Sequence, residues 1–238
     1  KENDPATFSR DLLDAIRGLA GNKRASRPGA RPAPIAQPIA LSLRTHPPTR
    51  PDVIAIGSST GGPQALIALL HDLPRGIKTP ILITQHLPAT FTAIFAQNIA
   101  KAAGRACAEG QDGEEIRSGQ IYVAPGGFHM LVEKKGSANV IRITSDPPEN
   151  FCRPAVDPMF RAVAKVYGRN VLAVILTGMG RDGAAGGKAI VDAGGTVIAQ
   201  DEATSIVWGM PGAAAEAGIC SKILPLPEIA PAIAKLAT

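Results

Sequence analysis

Short apolar runs alternate with helix-like segments along most of this chain, and this alternation constrains its fold more than any other feature. The runs are VIAI at 53–56, ILIT at 81–84, VLAVIL at 171–176 and TVIA at 196–199, and helical patterns such as PQALIALLHDL and FTAIFAQNIAKAAG lie between them. Strands that are apolar on both faces and separated by helices are typical of a parallel sheet covered on both sides. The sequence therefore predicts an α/β fold with a doubly wound, mostly parallel sheet.

The alternation is interrupted between residues 120 and 145. There the segment HMLVEKKGSANVIRIT has alternating residues on either side of a central GSAN, a pattern that predicts a β-hairpin. We expect this hairpin to be an antiparallel addition at the edge of the sheet or over its top.

The chain is predicted to have three parts. Residues 1–21 are expected to form a helix, with Asp4 as a cap, Pro5 in the first turn, one apolar face and Gly21 at the exit. Residues 22–51 contain seven prolines and no sustained periodicity, so we expect an extended linker. Residues 52–238 carry the alternation and are expected to form the globular domain.

The net charge of +5 arises in the first 50 residues. They hold nine of the 25 Lys and Arg residues and four of the 20 Asp and Glu residues, so residues 51–238 carry 16 of each kind. Aromatic residues make up only 4% of the chain, which leaves no stacking platform for bases. We therefore predict that the protein does not bind nucleic acid.

Two further classes of protein are excluded by pattern. No apolar run approaches the roughly 20 residues that span a bilayer, and the N-terminus lacks a secretory signal, so we expect a cytoplasmic protein without membrane insertion. The three cysteines, Cys107, Cys152 and Cys220, are scattered, and no histidine lies at ligand spacing from them. This arrangement predicts neither a disulfide framework nor a metal site, and no motif predicts a cofactor.

The turn GSSTGG at 57–62 follows the first apolar run and allows several interpretations. A Walker-type phosphate loop ends in Gly-Lys-Ser/Thr and a dinucleotide fingerprint is G-x-G-x-x-G, and the turn matches neither. Residues 57–61 do match G-x-S-x-G, in which a serine stands on a sharp strand-to-helix corner, and the match selects Ser59 over Ser58. Alternatively, the turn only packs, and a serine caps the following helix.

Two other residues are expected at the same edge of the sheet as Ser59. His86 follows ILITQ and Asp182 follows VILTGMGR, so each lies just past the carboxyl end of a predicted parallel strand, where open α/β sheets have their crevice. A serine, a histidine and a carboxylate in one crevice are the constituents of a nucleophilic triad. Alternatively, His86 is a hydrogen-bonding loop residue, and Asp182 caps the helix that begins after it.

The other three histidines are weaker candidates. His46 lies in the predicted linker, and His71, beside Asp72, is explained by a favourable interaction with the C-terminus of a helix. His129, in PGGFHM, is expected on or near the hairpin.

Several longer motifs together indicate a family. IAIGSSTGGPQA, ITQHLPATFTAIFA, IYVAPGGFHM, RPAVDPMF and VILTGMGRDGAAG followed by IAQDEATSIVWGMP closely resemble, in order and spacing, the catalytic domain of the chemotaxis receptor methylesterases (protein-glutamate methylesterase/glutaminase). The resemblance covers residues 52–235, and it implies a doubly wound, mostly parallel sheet for the catalytic domain at 52–238.

The resemblance also implies an activity and its residues. The expected enzyme is a serine hydrolase that releases methanol from glutamate γ-methyl esters of methylated chemoreceptors and deamidates particular receptor glutamines. Carried over by position, Ser59 is the nucleophile, His86 the base and Asp182 the orienting acid. Thr60 and Met179 match positions close to the family's site, and backbone N–H groups in the two Gly-rich turns are candidate oxyanion donors.

The N-terminal part departs from the family pattern. Family members usually carry a receiver domain there, whose phosphorylation relieves inhibition of the esterase. Residues 1–21 resemble only the last helix of such a domain, so we expect a truncated chain without the receiver domain through which a histidine kinase acts. Methyl-accepting chemotaxis receptors are the expected partners. The alternative functions are a non-catalytic receptor-binding module of the same fold and a nucleotide-binding α/β domain.

Overall fold

The structure, a computed structural model, describes residue 43 and residues 49–237. The helix predicted at 1–21, His46 and most of the linker predicted at 22–51 lie outside the described residues. In chain order the elements are β1 (Val53–Ser58), α1 (Gly62–Asp72), β2 (Ile81–Gln85), α2 (Ala89–Ala103), β3 (Cys107–Glu109), β4 (Ile121–Val123), β5 (His129–Lys135), β6 (Ala138–Thr144), α3 (Val156–Tyr167), β7 (Val171–Ile175), α4 (Ala184–Asp192), β8 (Thr196–Gln200), α5 (Met210–Glu216), β9 (Lys222–Leu224) and α6 (Leu226–Ala237).

Seven strands form one sheet in the order β3-β4-β2-β1-β7-β8-β9, and every neighbouring pair in it is parallel. The central strands β1, β2 and β7 are buried at every residue. These are the runs that the sequence showed as apolar on both faces, because each face of a central parallel strand meets a layer of helices. The prediction of a doubly wound, mostly parallel sheet is confirmed.

The two faces of the sheet belong to two separate hydrophobic clusters. Val53 and Ala55 of β1 pack with residues of α3, α4 and α5. Ile54 and Ile56, which alternate with them, pack with residues of α1, α2 and α6. Successive side chains of a strand point to opposite faces, so one short strand contributes to both clusters.

The predicted hairpin is present as β5 and β6, which pair antiparallel from His129↔Thr144 to Lys135↔Ala138 around a turn with Gly136 at φ 61°. Of the two placements considered, at the edge of the main sheet or over its top, the edge placement is wrong, because the hairpin forms a two-stranded sheet of its own. Its apolar residues, including Met130 and Ile141, join the cluster that contains Phe160 of α3. The hairpin therefore covers a helix, because its apolar face is buried there.

The topology leaves a crevice at the carboxyl ends of β1 and β7. From β1 the chain passes through α1 to β2 on one side, and from β7 it passes through α4 to β8 on the other. Adjacent strands whose connections leave in opposite directions mark the place where open α/β sheets bind ligands. The segments that follow β1, β2 and β7 line this crevice. None of the helices in the described ranges is both long and apolar enough to cross a bilayer.

Candidate active site

Ser59 is the first residue past β1, and it lies beside the segment that follows β7. Its backbone N–H donates to the carbonyl oxygen of Thr177 at 3.1 Å. A Cβ atom added at Gly178 would lie 2.9 Å from Ser59 Cβ, so the two segments touch at this point. Ser58, in contrast, is fully buried and donates its hydroxyl to Gln85 Oε1 at 2.6 Å. Of the two serines, Ser59 is the one with exposed surface.

The turn after β1 is held by backbone groups and by Gln85 from the neighbouring strand. The carbonyl oxygen of Ser59 accepts hydrogen bonds from the Gly62 N–H at 2.8 Å and from Gln85 Nε2 at 2.9 Å. The N-cap of α1 is Gly61, with φ 80° and no side-chain cap. The alternative in which a serine caps α1 is therefore wrong, since the left-handed N-cap position requires a glycine.

His86 lies just past β2, and its ring is bonded to Asp182. Its backbone N–H donates to Ser58 O at 3.1 Å, and its Nε2 lies 2.7 Å from Asp182 Oδ2. Only 11% of the His86 side chain and 2% of the Asp182 side chain are exposed. Because an ionised carboxylate only accepts hydrogen bonds, we assign the ring proton to Nε2. The Nδ1 atom then keeps its lone pair and is the nitrogen able to act as a base.

Cys152 lies against this Nδ1, with its Sγ atom 3.4 Å away. Burial and, secondly, the charge of Asp182 raise the pKa of the Cys152 thiol, so it stays protonated at neutral pH. The S–H group is a weak donor that suits the Nδ1 lone pair. Within residues 49–237 no hydrogen bond joins Ser59 Oγ to the His86 ring. Catalytic hydrogen bonds are often long before substrate binds.

Asp182 is almost completely buried, and hydrogen bonds surround its carboxylate. Besides His86 Nε2, the donors are Asn150 Nδ2 at 2.9 Å and the backbone N–H groups of Val156 at 2.6 Å, Asp157 at 3.0 Å and Gly183 at 3.0 Å. Burial alone would raise the pKa of Asp182, but the hydrogen bonds from His86, Val156 and Asp157 outweigh it and hold the pKa below its usual range. The carboxylate is therefore ionised at neutral pH.

Asp182 caps a different helix from the one considered in the sequence analysis. Val156 and Asp157 are the first residues of α3, whereas α4 begins at Ala184, after its N-cap residue Gly183. Asp157 in turn caps α4, since its Oδ1 accepts the N–H groups of Gly183 at 3.0 Å and Gly186 at 2.6 Å. The two aspartates thus cap each other's helices. Burial and the nearby charge of Asp182 raise the pKa of Asp157.

The segment between β8 and α5 fixes the other side of the crevice. Gln200 Oε1 accepts the Thr177 N–H at 2.9 Å, and the indole N–H of Trp208 donates to Gln200 O at 3.2 Å. The Gly178 N–H donates to Val207 O at 3.0 Å. Three segments, which follow β1, β7 and β8, are therefore joined around Ser59.

Thr60 and Met179 both lie on the exposed rim of the crevice, and 71% of Met179 is exposed. Across the described ranges, the backbone N–H of neither residue has an acceptor within the protein. The Gly178 N–H is already engaged with Val207. Two N–H groups near Ser59 are thus available to a ligand.

Neither of the other two histidines in the described ranges bonds to the triad candidates. His129 is buried, its Nε2 donates to Pro147 O at 3.1 Å, and its Nδ1 accepts the Ala155 N–H at 3.2 Å. His71 is exposed and lies 2.9 Å from Asp72 Oδ1. In the part of the chain that the structure describes, no cluster of His, Cys, Asp and Glu residues is able to hold a metal ion.

The sequence analysis did not identify four residues of the site. Gln85, Asn150, Cys152 and Asp157 all contact the triad candidates or the turn that carries Ser59. Asp157 offered a signal, because it is an acidic residue within the largely apolar RPAVDPMF, and a buried carboxylate needs partners. The contacts of Asn150 and Cys152 depend on loop geometry and leave no such signal.

Comparison with known proteins identifies similar chains. Residues 54–233 match the family model described as CheB methylesterase. The chain is 57% identical to protein-glutamate methylesterase/protein-glutamine glutaminase 1 of Paramagnetospirillum magneticum, over 97% of this chain and 65% of that protein. It is 53% identical to protein-glutamate methylesterase/protein-glutamine glutaminase of Azospirillum brasilense, over 97% of this chain and 63% of that protein. The chain thus spans just under two thirds of the length of these curated relatives.

A solved structure is also similar. The crystal structure of the Thermotoga maritima CheB methylesterase catalytic domain superposes with a TM-score of 0.76 at 36% sequence identity. The match covers 79% of this chain and 100% of that domain.

Proposed function

This chain belongs to the CheB methylesterase family, and we propose that it is a serine hydrolase acting on methyl-accepting chemotaxis receptors. It releases methanol from glutamate γ-methyl esters and deamidates particular glutamines, in the cytoplasm, on the cytoplasmic helical region of the receptors. The catalytic domain is residues 52–238. Relatives named protein-glutamate methylesterase/protein-glutamine glutaminase support both reactions. Control by a histidine kinase requires a receiver domain, which residues 52–238 do not supply.

The observation that carries the proposal is the 2.7 Å bond between His86 Nε2 and Asp182 Oδ2, next to the turn that exposes Ser59. The bond fixes the ring tautomer, so that the lone pair is on Nδ1. The ionised Asp182 also stabilises the imidazolium that forms when Nδ1 takes a proton. This arrangement supports the assignment of Ser59 as nucleophile, His86 as base and Asp182 as orienting acid.

The reaction follows from acyl-transfer chemistry. His86 Nδ1 takes the hydroxyl proton as Ser59 Oγ attacks the γ-carbonyl carbon, and the Cys152 thiol gives up its contact with Nδ1 at this step. The bond from the carbonyl carbon to the methoxy oxygen then breaks, and His86 returns the proton to yield methanol. Water, deprotonated by His86, hydrolyses the ester on Ser59 to leave glutamate and free serine. With a glutamine side chain the leaving group is ammonia.

The developing oxyanion needs preorganised donors. We propose the backbone N–H groups of Thr60 and Met179 for this role, because they lack acceptors in the described structure and flank Ser59. The absence of a side chain at Gly178 permits the two segments that carry these groups to approach each other.

The proposal is tested with radiomethylated chemoreceptor and a measurement of volatile methanol. We expect Ser59→Ala to reduce release by about a thousandfold or more, as removal of a serine nucleophile does. The control is Ser118→Ala, which removes an exposed serine whose hydroxyl donates to Lys78 O, and it should release methanol at the rate of the unmodified chain. Receptor binding without release by any of the three proteins would contradict the proposal and indicate a non-catalytic receptor-binding relative.

A further inference from the structure

Residues 149–152 form a tight turn whose backbone is held in an unusual conformation. Glu149 and Cys152 exchange two backbone hydrogen bonds, at 3.2 and 2.9 Å. The two central residues, Asn150 and Phe151, have φ angles of 52° and 63°. Turns with two left-handed central residues favour glycine or asparagine, and a bulky residue such as Phe is rarely found there. Strain of this kind is found mostly where a site requires it.

The conformation places the Asn150 amide between two buried carboxylates. Its Nδ2 atom lies 2.9 Å from Asp182 Oδ1 and 3.0 Å from Asp157 Oδ2. A carboxylate offers only acceptors, so both N–H bonds of the amide are directed, one to each aspartate. Asn150 as a whole is exposed, but its amide group binds the side chains of Asp182 and Asp157, which are only 1% and 4% exposed.

Two adjacent buried carboxylates repel each other, and one of them tends to take up a proton. The other donors to the pair are His86 Nε2, which binds Asp182 alone, and backbone N–H groups, of which only that of Gly183 lies within hydrogen-bond distance of both aspartates. Asn150 is the one side chain among the described residues that donates to both. Without it, the single N–H of Gly183 is the only donor shared by the two carboxylates in the described structure, and their repulsion favours uptake of a proton between them.

We propose that Asn150 is a positioning residue of the hydrolase, which separates Asp157 from Asp182 and keeps Asp182 Oδ2 directed at His86 Nε2. The inference rests on the proposed function. Asn150 itself does not touch the reacting atoms, because it binds the far oxygen of the carboxylate, Oδ1, while Oδ2 binds His86. It therefore acts on the base through the acid.

Asn150→Gly is the variant that tests this role, because glycine accepts the left-handed conformation without strain and removes only the amide. We expect kcat for methanol release to fall about tenfold to a hundredfold, since small misplacements of catalytic groups have effects of this size. The KM for the receptor should stay unchanged, because Asn150 does not contact substrate. The matched control is Phe151→Gly, a change at the other central residue of the same turn, with kcat expected within about twofold of the unmodified chain.

A double-mutant cycle separates this role from a merely structural one. In Asp157→Asn the new amide nitrogen faces that of Asn150, so this variant should also lose activity. In Asn150→Gly combined with Asp157→Asn both the like charges and the facing donors are gone. We expect the combined loss to be no greater than the larger single loss, whereas independent structural effects would multiply. Multiplying losses, or a Phe151→Gly loss equal to that of Asn150→Gly, would overturn the proposal.

One measurement is independent of activity. We expect the proton on His86 Nε2, which is donated to Asp182 Oδ2, to give a far-downfield NMR resonance in the full chain. We expect it to be lost in Asn150→Gly and kept in Phe151→Gly, with thermal unfolding showing that both variants are folded. If Asn150→Gly fails to fold, Asn150→Asp, which keeps the shape and loses the donors, takes its place. A resonance unchanged in the Asn150 variant refutes the positioning role, whether or not the receptor is hydrolysed.

Discussion

Asp182 has two functions in one side chain. Its Oδ2 binds His86 Nε2, and the same carboxylate receives the first N–H groups of α3. An ionised carboxylate at a helix N-terminus is favoured by the unpaired N–H groups and by the helix dipole. The group proposed to orient the base is therefore also a cap that stabilises the fold.

We expect Asp182→Asn to lower the free energy of unfolding by about 2–4 kcal/mol at neutral pH, because the amide nitrogen would face donors in a buried position. The pKa of Asp182 lies below its ordinary value in the folded protein. As the pH falls below about 3.9, the unfolded chain takes up the proton first, so the stabilisation by Asp182 is lost as the pH approaches the lower, folded pKa. The free energies of unfolding of the unmodified chain and of Asp182→Asn should therefore become more similar over that pH range.

Urea unfolding at pH 7 and near pH 3 measures this difference. If the difference in free energy of unfolding stays constant, or increases as the pH is lowered, the assignment of Asp182 as an ionised cap is contradicted.

The residues that could be predicted from the sequence are those whose roles follow from their place on a strand. Ser59, His86 and Asp182 each follow a strand that the apolar pattern marked, so their meeting in one crevice could be inferred. Asn150 could not, because its role depends on a turn of four residues with two left-handed φ angles, and nothing in the letters PENFCRP requires that conformation. The helix that Asp182 caps was equally hidden, since it begins 26 residues earlier in the chain.

At the scale of elements, the contact between α3 and α4 brings the two aspartates together. A Cβ atom added at Gly186 of α4 would lie 2.7 Å from Phe160 Cβ and 2.8 Å from Asp157 O, both in α3. The missing side chain at Gly186 thus permits the close approach by which Asp157 Oδ1 reaches the Gly186 N–H.

We expect Gly186→Ala to destabilise the protein by about 1–2 kcal/mol. Overpacking of a close contact costs about 1–3 kcal/mol, and the better helix propensity of alanine offsets up to about 1 kcal/mol of this. Activity should fall as well, because the displaced helices carry both caps. Chemical denaturation and methanol release measure the two effects.

Gly76→Ala is the control, since nothing lies within 4 Å of a Cβ atom at that position. It should change stability by no more than about 0.5 kcal/mol. Equal effects of the two substitutions would show that the helix contact at Gly186 is not tight.

Helices and strands could be predicted where the apolar residues of a segment followed one clear pattern. The alternation of apolar runs and helical patterns gave β1, β2, β7 and β8 with their intervening helices, and the parallel order followed from it. The placement of the hairpin could not be predicted from the sequence. An apolar face shows that another element packs against it, but not whether that element is a sheet or a helix. Here Met130 and Ile141 pack with Phe160 of α3.

At the scale of the whole molecule, both hydrophobic clusters are built from residues between Val53 and Ala237. Both clusters lie within one compact unit, Ala40–Thr238. We therefore expect a chain of residues 40–238 to unfold at the same urea concentration, and with the same dependence on urea, as the full chain. A lower midpoint for the shorter chain would show that residues 1–39 contribute to stability.

The loop that closes the crevice carries the single tryptophan of the chain, Trp208. Its indole N–H donates to Gln200 O, and its neighbours Val207 and Gly209 bond to Gly178, which touches Ser59. The tryptophan fluorescence of the protein therefore originates at one place, next to the crevice. Emission excited at the indole band is an optical reporter of substrate arrival and of local opening, while the circular dichroism of the helices reports on the rest of the molecule.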